Sequence, residues 1–289
     1  MQATKRPDHY RFQLGEMTVA TVLDGYAHRD GPRPTFGANA SEEEMADLLR
    51  QNFLPNGRYE NHFVPVVVET GGEVVVFDTG FSPGSNPTAG HLQARLAHLG
   101  LAPEDVSLVV VTHGHGDHIS GIMTEGRPSF PNARYAIAET EWDFWTSDRP
   151  AQAGRGDNAQ MFQSNVVPLR DRTTFLKDGD TVAPGITAMA APGHTPGHTI
   201  FMLESGGRQL LHFVDVSNHY VASLARPDWH VAFDFDKEQA VQTRKRVLDM
   251  VATDRIPAIG YHMPFPSVGF VERAAGGYRW VAASYQMNL

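Results

Sequence analysis

The sequence predicts a mixed α/β fold in which two β-sheets pack together and carry helices on their outer faces. Three observations lead there. Valine-rich runs of strand length recur in both halves of the chain. Each half joins two such runs through a Gly-Gly turn, Gly71-Gly72 and Gly206-Gly207. In each half the strand cluster then gives way to a segment with helical periodicity. No stretch has the composition of a linker, so residues 1–289 are expected to form one domain.

The elements follow in order. "MTVATVLDG" (17–25), "HFVPVVVET" (62–70) and "EVVVFDTG" (73–80) are rich in Val and aromatics and end in turn residues, so they read as strands. "AGHLQARLAHLG" (89–100) places Leu92, Leu96 and Leu99 at helical spacing before a terminal Gly and reads as a helix. "VSLVVV" (106–111) is apolar without alternation, as a strand covered on both faces would be. Residues 139–170 are less regular, and "ETEWDFWTSD" and "NAQMFQSN" read there as short helices of an insertion. The second half repeats the rhythm with strands "ITAMAAPGH" (186–194), "TIFMLES" (199–205) and "RQLLHFVDV" (208–216). "DKEQAVQTRKRVLDMVATD" (236–254) is a helix with Asp236 as N-cap and Ala240, Val241, Val247, Leu248 and Val251 as its apolar face. "IPAIGYH" (256–262) and "GYRWVAASY" (277–285) close the list of strands.

Composition excludes several classes. Hydrophobic residues make up 41% and the net charge is -9, which suits a globular protein. The absence of Cys rules out disulfides, thiolate nucleophiles and Cys-ligated metals together. No run of Lys or Arg suggests a phosphate-tracking surface, so no nucleic-acid partner is expected. No segment approaches ~18 consecutive apolar residues, and "MQATKRPDHYRFQLGE" lacks the apolar core of a signal peptide. For the chain as given, the expectation is a cytoplasmic protein with no membrane partner.

The chemistry is concentrated in "VVVTHGHGDHISG" (109–121), which gathers His113, His115, Asp117 and His118 directly behind an apolar strand. In an extended loop His113 and His115 point the same way, with Gly114 and Gly116 leaving the intervening space empty. Asp117 and His118 begin the next turn or helix and splay elsewhere, so one loop can address two metal ions. His194 and His262 also fall at strand ends, and Asp215 ends "LLHFVD". Loops at strand ends let a rigid scaffold hold functional groups close together.

The segments "VVFDTG", "THGHGDH", "APGHTPGH", "HFVD" and "IGYH", in this order from residue 75 to 262, resemble the metallo-β-lactamase superfamily. The resemblance implies an αββα sandwich with a dinuclear metal site on one edge. It implies that His113, His115 and His194 hold one ion, that Asp117, His118 and His262 hold the other, and that Asp215 bridges them. Asp78 would support the metal loop, and His198 would be structural. The opening "YRFQLGEMTVATVLDG" and the end "GYHMPFPSVGFVERAAGGYRWVAASY" are similar to the methyl parathion hydrolase and N-acyl homoserine lactonase subgroup. Two departures stand out. "DHISGI" puts Ser120 where many relatives have Gly, and "VDVSN" has Val214 where many have Gly before the Asp.

The expected function is therefore a metal-dependent hydrolase that uses a metal-bridging hydroxide on small lactones, aryl esters or organophosphate triesters. Two divalent ions are expected, zinc first, with Mn, Co or Fe also suited to the donors. Asp117 would orient the hydroxide and pass a proton to the leaving group. His219 and Tyr220 lie close enough behind Asp215 to reach a substrate oxygen, or else pack. Trp142, Phe144, Trp145, Trp229, Phe233 and Phe235 divide between pocket, core and dimer contacts. His9, His28, His91 and His98 read as surface residues. A homodimer is the expected assembly. The alternative is a non-haem iron oxidoreductase of the persulfide dioxygenase kind, which would bind one iron.

Overall fold

The computed structural model describes residues 7–283. Two seven-stranded sheets form its centre. The first runs in the order His9–Leu14, Met17–Val22, Val66–Thr70, Glu73–Phe77, Leu108–Val111, Arg134–Ala138 and Thr173–Leu176. Its first four strands are antiparallel neighbours, and from Glu73–Phe77 onward the pairing is parallel. The second runs Thr181–Ala183, Ile186–Ala190, Thr199–Ser205, Arg208–Val214, Ala258–Gly260, Val268–Ala274 and Gly277–Ala282. There the parallel pair is Arg208–Val214 with Ala258–Gly260.

Strand alternation explains the layers. Val75, Phe77, Leu108 and Val110 point into the core between the sheets, where they meet Ile186, Leu203, Leu210 and Phe213. Their neighbours Val76, Val109 and Val111 point outward and are covered by Leu92, Leu96, Trp142, Trp145 and Phe162 from the helical segments. Both faces of Leu108–Val111 are thus buried, as its unbroken apolar run predicts. Outside the second sheet, helix Lys237–Asp254 buries Val247, Leu248 and Val251, and Asp236 caps it by accepting from Gln239 N at 2.9 Å. The αββα sandwich follows. A third, smaller cluster joins Phe36, Met45, Leu48, Leu49, Tyr59, Trp229 and Val231 beside the sandwich.

Several expected boundaries need correction. The strand predicted over 62–70 is two strands, Arg58–Phe63 and Val66–Thr70, divided at Val64-Pro65 because Pro cannot donate to a ladder. The strand predicted over 17–25 ends at Val22, and Gly25–Asp30 pairs with Arg58–Phe63 as a separate ribbon. Asp24 makes that corner by accepting from Phe81 N, Gly90 N and Leu92 N. The helix predicted over 89–100 shrinks to Leu92–Leu96 plus a 3₁₀ turn, Ala97–Leu99. The strands predicted over 186–194 and 256–262 stop at Ala190 and Gly260, which leaves both terminal histidines in loops. Residues 139–170 fold as helices Glu139–Thr146, Arg149–Gln152 and Gly156–Asn165. The last predicted strand is present as Gly277–Ala282, and its residues 284 and 285 lie outside the described residues. An unforeseen helix, Glu42–Gln51, opens on a Ser41/Glu44 capping box.

The sheet core also encloses a titratable group. His212 packs its ring on Phe77 at 5.5 Å and donates Nδ1 to Ile259 O at 3.3 Å. Burial holds it neutral, pushing its pKa from 6.5 to about 4. As pH falls below 6.5, the unfolded chain takes up a proton that the folded chain refuses, so stability is lost from 6.5 down toward 4. His212→Leu should flatten the dependence of unfolding free energy on pH by up to ~1.4 kcal/mol per pH unit in that window. Urea unfolding at a series of pH values measures this, and parallel profiles for both proteins would contradict it.

Candidate metal centre

The C-terminal ends of the parallel strands of both sheets meet at one edge of the sandwich, where α/β sheets place their ligand sites. Leu108–Val111 runs into Thr112 and His113, and helix Gly116–Ile119 begins just beyond His115, carrying Asp117 and His118. Arg208–Val214 delivers Asp215, and Ala258–Gly260 delivers Tyr261 and His262. His194 comes from the loop after Ile186–Ala190. The backbone is strained at two of these exits. Asp78 and Val214 both have positive φ, 60° and 50°. At Val214 the finding matches the glycine that many relatives carry there.

All seven residues singled out as metal-ligating in the sequence converge. His113 Nε2 lies 3.1 Å from His115 Nδ1, which lies 2.9 Å from His194 Nε2. His262 Nε2 lies 3.4 Å from Asp117 Oδ2, and His118 Nε2 lies 3.7 Å from the same oxygen. Asp215 stands between the two groups, with Oδ2 3.2 Å from both His194 Nε2 and His262 Nε2. Asn218 Nδ2 donates to that oxygen at 2.8 Å. His113, His118, His194 and Asp215 are almost wholly buried, while Asp117 is partly open to solvent.

A second layer fixes the orientation of each ring. Asp78 accepts from Thr112 N at 2.9 Å, from Thr112 Oγ1 at 2.7 Å and from His118 Nδ1 at 2.7 Å. Tyr261 stacks on the His118 ring at 3.9 Å, and its hydroxyl donates to Asp117 O. His262 Nδ1 donates to His62 O at 2.8 Å, and His194 Nδ1 donates to Asp234 Oδ1 at 2.8 Å. His118, His194 and His262 therefore turn Nε2 inward, the nitrogen left for a ligand bond. His198 donates Nδ1 to Ala191 O and accepts at Nε2 from Asp215 N. Burial lowers its pKa to about 3, so it supports Asp215 as a neutral ring.

Sequence reasoning misses three buried charged residues here. Asp234 passes from His194 to the wholly buried Arg244, which donates Nη2 to Asp234 Oδ2 at 2.9 Å, Nε to Val216 O at 2.8 Å and Nη1 to Trp229 O at 3.0 Å. Glu141 accepts from both histidine loops. Each of the three lies in a segment that the sequence presents as an irregular stretch or a solvated helix face, with no motif to mark it.

The donor set fits divalent cations. Burial, with the neighbouring imidazoles, keeps His113 and His115 well below the usual histidine range and hence neutral, as a ligand must be. The single proton available to His115 Nδ1 cannot satisfy both of its close nitrogen neighbours. Burial also opposes a proton on His118, yet Asp215, Asp78 and Asp117 raise it well above the ordinary range, so the carboxylates demand positive charge there. His118 Nε2 and Asp215 Oδ1 are buried without a hydrogen-bond partner, both facing this cluster.

Two pockets open on the cluster. One, of about 310 Å³, is lined by Asp117, Asp215 and His262 together with Arg29, Asn61, Arg155, Asn158 and Phe233. The other, of about 420 Å³, is more apolar, lined by Leu49, Leu54, Pro55, Tyr59 and Tyr220, and shares His262 with the first. His219 and Tyr220 line the second pocket and not the first. His219 Nδ1 accepts from Val221 N and Ala222 N at 3.1 Å, and burial lowers its pKa to about 4. Of the six aromatics, Phe233 reaches the metal pocket, Trp142, Phe144, Trp145 and Trp229 are core residues, and Phe235 is half-buried against Phe144 at 4.8 Å. Among the expected surface histidines, His28 lines the apolar pocket and pairs with Glu60 at 2.9 Å. No described helix is long and apolar enough to cross a membrane.

Residues 64–258 match the sequence model of the Metallo-beta-lactamase superfamily. Metallo-beta-lactamase domain-containing protein 1 of Homo sapiens is 29% identical over 240 residues, covering 83% of this chain and 67% of that protein. The N-acyl homoserine lactonase AttM of Azorhizobium caulinodans is 32% identical over 119 residues, 38% of this chain and 40% of that protein. Among solved structures, AidC, a dizinc quorum-quenching lactonase with bound product, is similar with a TM-score of 0.88 at 25% identity, over 97% of this chain and 99% of that one. The hydrolase AbOPH of the beta lactamase superfamily shares the fold with a TM-score of 0.90 at 24% identity, over 98% and 100% of the two chains.

Arg244→Met removes a buried cation and strips Asp234 Oδ2 of its guanidinium partner, leaving only His194 Nδ1 donating at Oδ1, which should cost ~3 kcal/mol of stability. Arg244→Lys should recover only part, because an ammonium cannot span the carboxylate and the backbone carbonyls that the guanidinium joins. Denaturant unfolding reads both, and a loss below ~1 kcal/mol for the Met variant would rule out this role.

Proposed function

Because this chain belongs to the metallo-beta-lactamase superfamily, we propose that it is a metal-dependent hydrolase whose cluster holds two divalent ions. His113, His115 and His194 take one ion, Asp117, His118 and His262 take the other, and Asp215 serves both. The observation that carries this reading is the convergence of five imidazoles on two carboxylates at the mouth of a pocket, with three of the rings locked by a second-layer acceptor. Zinc suits the donors, as do Mn, Co and Fe. Ions so held supply Lewis acidity and a water of near-neutral pKa. His262 lies beside Asp117 and Asp215, completing a second site that a one-iron centre leaves unused, which favours the hydrolase over the iron oxidoreductase.

The substrates proposed are small lactones and activated aryl esters, with organophosphate triesters as a third class. The apolar pocket beside His262 suits an acyl or aryl group, and Arg29, Asn61, Arg155 and Asn158 offer donors to its carbonyl or phosphoryl oxygens. Asp117, the more open of the two carboxylates, is placed to accept the proton of the attacking water at its carboxylate oxygen and to return it to the leaving oxygen. The Tyr220 hydroxyl makes no hydrogen bond among the described residues and is free to donate to a substrate oxygen. His219, neutral and occupied at Nδ1, positions the Tyr220 segment, its ring stacked on Tyr220 at 5.4 Å.

Two outcomes are expected. Metal-replete protein should contain two ions per chain and hydrolyse an N-acyl homoserine lactone or an aryl ester, with activity abolished by chelation and restored by Zn²⁺, Co²⁺ or Mn²⁺. One tightly held ion by elemental analysis, or no turnover across a panel of lactones, aryl esters and an aryl phosphotriester, would reject the proposal. Leu54→Trp, which narrows the apolar pocket, should lower kcat/KM for a decanoyl lactone ~10-fold or more, about 1.4 kcal/mol, while sparing the butyryl analogue. Equal losses on both would separate this pocket from the acyl group.

A further inference from the structure

Glu141 takes no part in the chemistry above, yet it is a carboxylate with 0% exposure lying beneath both histidine loops. Its Oε1 accepts from Gly114 N at 2.8 Å and Trp145 Nε1 at 2.6 Å, and its Oε2 accepts from Thr195 Oγ1 at 2.7 Å and Gly197 N at 2.9 Å. We propose that Glu141 is a positioning residue of the metal centre, a carboxyl clamp that sets the distance of His113 and His115 from His194.

The loops it joins come from different sheets. Gly114 lies between His113 and His115, and Thr195 directly follows His194. Thr199 N also ties the two sides, donating to Thr112 O at 3.2 Å. The ring nitrogens whose spacing is at stake are 2.9 Å apart across the gap, at His115 and His194. Glycine is required on both sides for the clamp to close. A Cβ on Gly114 would stand 2.3 Å from Trp145 Nε1, and one on Gly197 would stand 2.2 Å from the Glu141 backbone nitrogen. Two backbone N–H groups and an indole N–H can only donate, so the carboxyl must accept from them. Burial pushes the Glu141 pKa up, and the four hydrogen bonds from Thr195, Trp145, Gly114 and Gly197 oppose it.

Glu141→Gln tests the role because it keeps the shape and turns one accepting oxygen into a donor. Its amide NH₂ fits best toward Thr195, whose hydroxyl can turn to accept, and this leaves the Gly197 N–H facing another donor. The His194 side of the clamp therefore loosens while the Gly114 side stays intact. Thr195→Val is the milder variant, removing one donor and keeping the carboxylate.

The inference rests on reading the site as a metal centre. Metal-free wild-type and variant proteins are titrated with Co²⁺ against a chelating dye, with the visible ligand-field absorption and apo-protein unfolding recorded in parallel. Glu141→Gln should bind its tighter Co²⁺ about 10–100-fold more weakly, the range for loss of an outer-shell partner. It should also show an altered absorption band, and Thr195→Val should shift both in the same direction by less. A Glu141→Gln protein that is less stable but binds Co²⁺ with unchanged affinity and spectrum overturns the proposal. If that variant does not fold, unchanged binding by Thr195→Val overturns it instead. Wild-type protein that takes up no Co²⁺ would bring down the metal-centre reading itself, whereas normal wild-type binding with unaffected variants brings down the clamp alone.

Discussion

Five imidazole rings and two carboxylates are held within a few ångströms of one another, mostly out of water. Bare nitrogens facing bare nitrogens, beside buried anions, repel unless a cation stands between them. The arrangement therefore has to be imposed from outside the cluster. The surrounding polar contacts can be understood as means of imposing it. Asp78, Asp234 and the His62 carbonyl each take the outward N–H of a ring, His198 holds the Asp215 backbone, and Arg244 neutralises Asp234. These partners come from both sheets, the long helix and the ribbon strand Arg58–Phe63, so the site draws on most of the sandwich.

The same demand explains where the backbone is strained. A chain leaving a strand normally keeps negative φ, yet Asp78 and Val214 turn through the left-handed region at the ends of neighbouring strands in opposite sheets. For a β-branched residue such a conformation costs on the order of 1–3 kcal/mol. Val214 is wholly buried and packs in the central core, which offsets part of that cost. The turn aims Asp215 back across the sheet edge toward His194 and His262, a direction that a regular strand exit would not give.

Legibility in the sequence tracks distance along the chain. The "HGHGDH" run could be read because its geometry is local: alternation in an extended loop, then the start of a helix. His194, Asp215 and His262 were marked by their place after apolar strands, and their role as ligands came from the resemblance of "APGHTPGH", "HFVD" and "IGYH" to the metallo-β-lactamase superfamily. Glu141 and Arg244 could not be read, since each sits in a helix among ordinary surface charges, and only the packing of that helix against loops from elsewhere buries it. Asp234 lies in an irregular loop with the same lack of signal. The strand boundaries erred where a single residue broke the ladder, at Pro65 and at Asp24. The unforeseen helix Glu42–Gln51 had an overlooked signal, the Ser41/Glu44 capping box in "SEEE" followed by Met45, Leu48 and Leu49 at helical spacing.

The apolar pocket is walled largely by residues of, or next to, the third cluster, around Leu49, Tyr59 and Tyr220, while the metal-facing residues are braced by the two sheets and their own helices. The part that would recognise a substrate and the part that would cleave it thus rest on largely different foundations, joined where His62, Asn218 and His262 line the pocket and brace or belong to the metal cluster. Substitutions in the wall can reshape what is admitted without disturbing the spacing of the histidines. If the centre hydrolyses as proposed, a lineage starting from such a chain could change what it admits one wall residue at a time while keeping the histidine cluster at every step, and modest side activities on unfamiliar compounds would be the natural by-product of that freedom.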